Sequence, residues 1–237
     1  MNLIKNNWTE SDITEFHRYL LTLSKGKEAS LFEKKVTKTK LDCIAVSSEN
    51  ITRIVKDIYK GNYFSFIAYF TWNNLSEVYI LGKLICHIKN FNIFKNYLYQ
   101  YALKADSWAI TDTLSFKINF DNSYLYFSLA RKFIKDKKPF VRRTGLFILF
   151  KMISLPFYLD KIFAIIDTFY GEDNYYVNMM LAWLLTELFI KYREITISYL
   201  NNHHLNNFVI NKMISKCRDS YRVSKKDITY LLSYKII

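Results

Sequence analysis

The sequence predicts an all-α solenoid of stacked helix pairs, and three observations lead there. Its 237 residues include only five glycines and two prolines, too few for the many tight turns of a β-sandwich or barrel. Apolar residues recur at helical spacing between short polar breaks. The breaks themselves recur: helix openings at Ser107, Phe140, Tyr176 and Ile210 lie 33, 36 and 34 residues apart, and each interval holds another helix, over 122–135, 157–169 and 194–203. A period of about 35 residues with two helices per unit marks a helical-repeat array. Periodicity alone leaves an irregular helical bundle open as the alternative. The chain is expected to form a single domain over 1–237, with ample length for a substantial core.

Each element has a local reason. Ser11-Asp12 is placed to cap a helix from Ile13 to Leu23, with Phe16, Leu20 and Leu23 on one face. Ser47-Ser48 precedes Ile51, Ile54, Val55 and Ile58, and Gly61 ends that stretch. Asp121-Asn122-Ser123 opens a helix through Tyr124, Phe127, Leu129 and Phe133. Pro139 stands where a first-turn proline belongs, ahead of Val141 to Ile153. Asp173-Asn174 caps the most apolar helix, Tyr175 to Tyr192.

Charge narrows the partners. A net charge of +13 favours a polyanion, with nucleic acid ahead of an anionic membrane surface because no stretch reads as a strongly amphipathic anchor. No run of 18 apolar residues occurs, so no membrane is expected as partner. Neither GxGxxG nor GxxxxGK[ST] is present, which with the scarce glycine weighs against the common glycine-loop nucleotide sites. The start, Met1 to Trp8, lacks the apolar core of a signal peptide, and Cys43, Cys86 and Cys217 are far apart and odd in number. Reduced thiols and a cytoplasmic, nucleoid-associated location are therefore expected. Adjacent His203 and His204 would diverge by about 100° on a helix, so neither a metal nor another cofactor is expected there.

In a helix-pair array the second helix of each unit lines one concave face, so residues one period apart stack side by side. Trp108 and Arg143 are 35 apart; Arg143 and Trp183 are 40 apart, one period plus about a turn. Asp112 follows Trp108 by four residues, on the same face of its helix. The expected concave surface thus carries Trp108, Asp112, Arg143 and Trp183. Periodicity also allows both tryptophans to be core and Asp112 to be a solvated residue. Arg142 and Arg143 point about 100° apart, so at most one faces the groove.

At these residues the chain resembles the DNA alkylation repair family, the AlkD-like DNA glycosylases built from HEAT-like repeats. The resemblance rests on Ser107 to Asp112, on Pro139 to Thr144, on Tyr175 to Leu185 and on the stretch from Asn211 to Ser224. It implies a right-handed α-solenoid curled around duplex DNA, and hydrolysis of the N-glycosidic bond of cationic alkylated purines such as 3-methyladenine and 7-methylguanine. By that resemblance Asp112 is the catalytic carboxylate, Trp108 and Trp183 pack against the sugar and backbone of the lesion, and Arg143 holds a phosphate. The chain would act as a monomer and without a cofactor.

Other basic residues suit duplex binding: Lys137, Lys138, Arg142, Lys212, Lys216, Arg218 and Arg222 cluster near the openings of the later repeats. Two features depart from the family pattern. Ala109 stands where active relatives often carry an acidic residue, and the basic segment from Ser24 to Val46 matches weakly, although the family uses an N-terminal helix there to probe the minor groove. These departures keep a second reading in view, a catalytically inactive paralogue serving as a helical-repeat scaffold for DNA or protein.

Overall fold

The computed structural model describes residues 1–235, and every regular element among them is helical. The helices group into two compact units, Met1–Phe116 and Lys117–Ile237.

The first unit holds α1 (Glu10–Thr22), α2 (Lys27–Thr37), α3 (Ser48–Lys60), α4 (Tyr63–Tyr69), α5 (Leu75–Ile85), α6 (Phe91–Lys104) and α7 (Trp108–Asp112). Its N-terminal end is organised on aromatic edges: Trp8 meets Phe66 at 4.9 Å and Phe16 at 6.0 Å, both T-shaped, and all three rings are essentially unexposed. Helix α1 begins earlier than Ser11 would have it. Thr9 is the cap, because its hydroxyl accepts from the Asp12 amide while the Asp12 carboxylate accepts from the Thr9 amide, a reciprocal box that satisfies two orphan donors. Helix α3 runs as expected from its Ser47 cap to Gly61, burying Ile51, Ile54, Val55 and Ile58, and it packs on α5. Helix α5 in turn meets α6 closely at Gly82, where any Cβ would sit 2.4 Å from the Tyr101 hydroxyl.

The second unit holds α8 (Ser123–Phe133), α9 (Pro139–Met152), α10 (Leu159–Asp167, after a 3-10 turn at Pro156–Tyr158), α11 (Tyr175–Lys191), α12 (Arg193–Leu200), α13 (Asn207–Arg218) and α14 (Lys225–Leu231). Here α9, α11 and α13 pack in series, α8 lies on α9, α12 on α11 and α14 on α13. That order is the helix-pair stacking predicted from the 35-residue period. Helix α11 is apolar nearly all round because it is flanked by α9, α12 and α13. Polar side chains stitch the starts of successive repeats together. The Asn174 side chain accepts from the Tyr176 and Val177 amides, and that of Asn206 from the Val209 amide. Asn178 and Asn206 both donate to the Glu172 carbonyl at 3.0 Å. The Asn206 cap also explains why α13 opens at Asn207, three residues before Ile210.

Candidate functional site

Helix α7 is only five residues long, too short to hold itself in water, so its position is set by anchors. Buried Ser107 caps it: the Ser107 hydroxyl donates to the Thr37 carbonyl at 2.6 Å and accepts from the Ala109 amide at 3.3 Å. One residue earlier, the Asp106 carboxylate accepts from the Thr39 hydroxyl (2.7 Å) and the Lys40 amide (2.6 Å). From the other side the Tyr101 hydroxyl lies 3.0 Å from the Val78 carbonyl and 3.2 Å from that of Ile110. These contacts tie α7 to the end of α2, to α5 and to α6.

The anchored helix presents Trp108 outward, 37% exposed, and leaves Asp112 half-buried, while Ala109, Ile110 and Thr111 face the interior. The Thr111 hydroxyl lies 3.1 Å from Asp112 Oδ1 and 3.0 Å from the Trp108 carbonyl, so one proton serves both sides of the turn. Tyr79 of α5 is half-buried near this carboxylate. Burial first, then the charges of Glu33, Cys43 and Asp112, push its phenol well above the ordinary range.

Arg143 and Trp183 sit on the adjacent helices α9 and α11 of the second unit. Trp183 is half-buried, its ring 4.4 Å from that of Phe150. Arg143 is only 3% exposed, and its Nη1 donates to the Tyr176 carbonyl at 2.6 Å, linking α9 to the first turn of α11. Of the two neighbouring arginines, Arg142 is turned away to Glu172, bidentately at 2.7 and 2.8 Å, and to the carbonyls of Asp136 and Lys137.

The remaining basic candidates divide by partner. Arg222 grips Glu187 with both guanidinium arms at 2.5 and 2.8 Å, so its charge, like that of Arg142, is offset within the protein. Arg218 is exposed beside Asp219 at 3.3 Å. Lys137 and Lys138 are exposed at the start of α9; Lys212 lies over the Phe208 ring at 5.7 Å, and Lys216 is half-buried on α13. His204 binds Asp167 through Nδ1 at 2.6 Å, and Cys217 is buried.

Several residues that matter here leave little trace in the sequence. Ser107 marks a helix opening in the sequence, but its bond to the Thr37 carbonyl joins residues 70 apart and leaves no local pattern. Between Ser24 and Val46 the structure shows a formed helix, α2. It exposes Leu31 (60%), Phe32 (69%) and Val36 (44%) beside Lys27 and Lys35. An amphipathic run between Gly26 and Lys38 was its only signal.

Helix pairs stacked in series, in a chain of net charge +13, define an all-α helical-repeat protein whose charge suits a polyanion. The model of the family described as DNA alkylation repair enzyme matches residues 20–216, and the chain belongs to that family. Membership carries a role in DNA repair and points to DNA as the partner. No curated protein and no solved structure matches the chain. Among the described residues no helix is long and apolar enough to cross a membrane.

Proposed function

We propose that the protein is a DNA glycosylase that hydrolyses the N-glycosidic bond of cationic alkylated purines, 3-methyladenine and 7-methylguanine among them, in duplex DNA. The observation that carries this reading is α7: an outward indole and a half-buried carboxylate one turn apart on a helix anchored from three sides, within a chain of the alkylation repair family.

The chemistry needs few groups. An alkylated purine already carries positive charge and departs as a neutral base, so no general acid is required. Cleavage builds oxocarbenium charge on the sugar. A fixed carboxylate, Asp112, stabilises that charge and aligns the attacking water. The indole face of Trp108 adds attraction to the cationic sugar; in the second unit Trp183 packs against the DNA backbone and Arg143 holds a phosphate. Lys137, Lys138, Lys212, Lys216 and Arg218 contact the backbone, and the exposed Phe32 edge of α2 meets the minor groove. The protein acts as a monomer.

Incubating the protein with methylated duplex and quantifying free base tests this. Release that Asp112→Asn abolishes supports it; no release by the wild type refutes it. The burial of Arg143 favours a second reading, a non-hydrolysing scaffold in which this guanidinium serves the fold by holding Tyr176. Duplex binding without base release, or salt-insensitive binding to a protein instead, would select the scaffold.

A further inference from the structure

A cavity of about 560 Å³ opens in the first unit between α1 and the segment 68–73 that leads into α5. That volume lies within the range of small-molecule sites, roughly 300–1,000 Å³. At its wall His17 is held by a buried carboxylate: His17 Nδ1 lies 2.5 Å from Glu77 Oε1, and Glu77 is 2% exposed. The same oxygen accepts from Asn74 Nδ2 at 2.9 Å. Burial pushes the Glu77 carboxyl above its ordinary value, and the His17 bond acts in the opposite direction. A carboxylate that takes the Nδ1 proton fixes the imidazole tautomer. His17 Nε2 has no hydrogen-bond partner among the described residues, and the imidazole keeps part of its surface open to the cavity.

The rest of the lining has a consistent sense. Asn73 donates its amide to the Thr71 hydroxyl at 2.6 Å, which leaves the Asn73 Oδ1 as an acceptor. Glu10 is among the lining residues, and Tyr69 and Phe70 contribute aromatic surface. No lysine or arginine is among the described lining residues, in a chain whose net charge is +13. Acceptors and a carboxylate beside aromatic faces disfavour an anion such as a DNA phosphate, and they complement a flat ligand that offers N–H donors.

We infer that this cavity is a binding site for a free aminopurine-class base, stacked on Tyr69 and Phe70, with its N–H edge turned to His17 Nε2, Asn73 Oδ1 and Glu10. The assignment holds whether or not the protein cleaves DNA. Its test is calorimetric titration of the full chain with adenine, 3-methyladenine, spermidine and inorganic phosphate. Saturable binding of the two purines is expected, without binding of phosphate or of the non-planar cation. His17→Phe should weaken purine binding at least tenfold. Because that change also strips Glu77 of its partner, Tyr69→Ala, at a 45% exposed position, supplies a second loss in a variant that keeps the dyad. No purine binding by the wild type, unchanged binding in Tyr69→Ala and His17→Phe, or phosphate competing with adenine would each overturn the assignment.

Discussion

Asp112 bears the sharpest residue-scale expectation. Asp112→Asn keeps the volume of the side chain and removes its charge, so base release should fall by at least about 100-fold with the fold intact, given the usual weight of electrostatic stabilisation. A single-turnover excision assay beside a thermal melt reads both quantities. The Lys5–Asp12 ion pair and the Thr9 cap make a separate, pH-dependent case. The Lys5 ammonium, then the Thr9 backbone and hydroxyl bonds, hold the Asp12 carboxyl down to about 2. A depressed folded-state value means the stabilisation is present above the unfolded carboxyl range, near 4, and is lost as pH falls through the folded value. Urea midpoints of wild type and Asp12→Asn should therefore differ at pH 7 and converge near pH 2. Whether Arg143 would be buried was not legible at this scale. Its spacing from Trp108 and Trp183 is a property of the sequence, whereas its 3% exposure and its bond to Tyr176 arise from how α9 and α11 pack.

At the scale of elements, α7 depends on contacts outside itself. Ser107→Ala removes both its cap and a bond to the Thr37 carbonyl, which should cost about 1–2 kcal/mol in denaturant unfolding. The same change should speed amide hydrogen exchange in α7 and at the end of α2 together. Exchange confined to α7 would show that the Asp106–Ser107 junction does not couple the two helices. Most helix boundaries were legible because they are set by local chemistry: Ser47 and Asn174 cap their helices and Pro139 takes a first position, as the sequence reading has them, and α8 starts at Ser123 as expected although Asn122 makes no capping bond. The misplaced boundaries have local explanations too. Thr9 and Asp12 form a box that Ser11-Asp12 hid, and Asn206 draws α13 three residues forward. Helix α2 carries an amphipathic run, but its apolar residues Leu31, Phe32 and Val36 stay exposed and only Thr37 is buried, so the stripe does not mark a core-facing helix.

For the whole molecule, the charge of +13 should appear as a steep salt dependence of duplex binding, since each phosphate contact releases counterions. Substituting Lys137, Lys138 or Lys212 by Gln should lower the slope of log K against log salt by about 0.9 each, read by fluorescence anisotropy across a salt series. Arg142→Ala should behave differently. Its guanidinium is spent on Glu172, whose side chain is 7% exposed, so losing it should lower stability by about 3 kcal/mol or more while leaving the salt slope unchanged. An Arg142 effect on slope equal to that of Lys137 would refute this division.

By itself, the sequence determined that the protein is helical, that its helices come in pairs with a 35-residue period, and that its surface favours a polyanion. Periodicity, capping and net charge are local or additive properties, and they survive without knowledge of the fold. The tertiary structure alone decided that α7 is anchored through Thr37, Tyr101 and Asp106, that Arg142 serves Glu172, and that His17 is backed by a buried Glu77. Those contacts join residues 9 to 70 positions apart, and their partners are chosen by which helix faces meet in the packed chain.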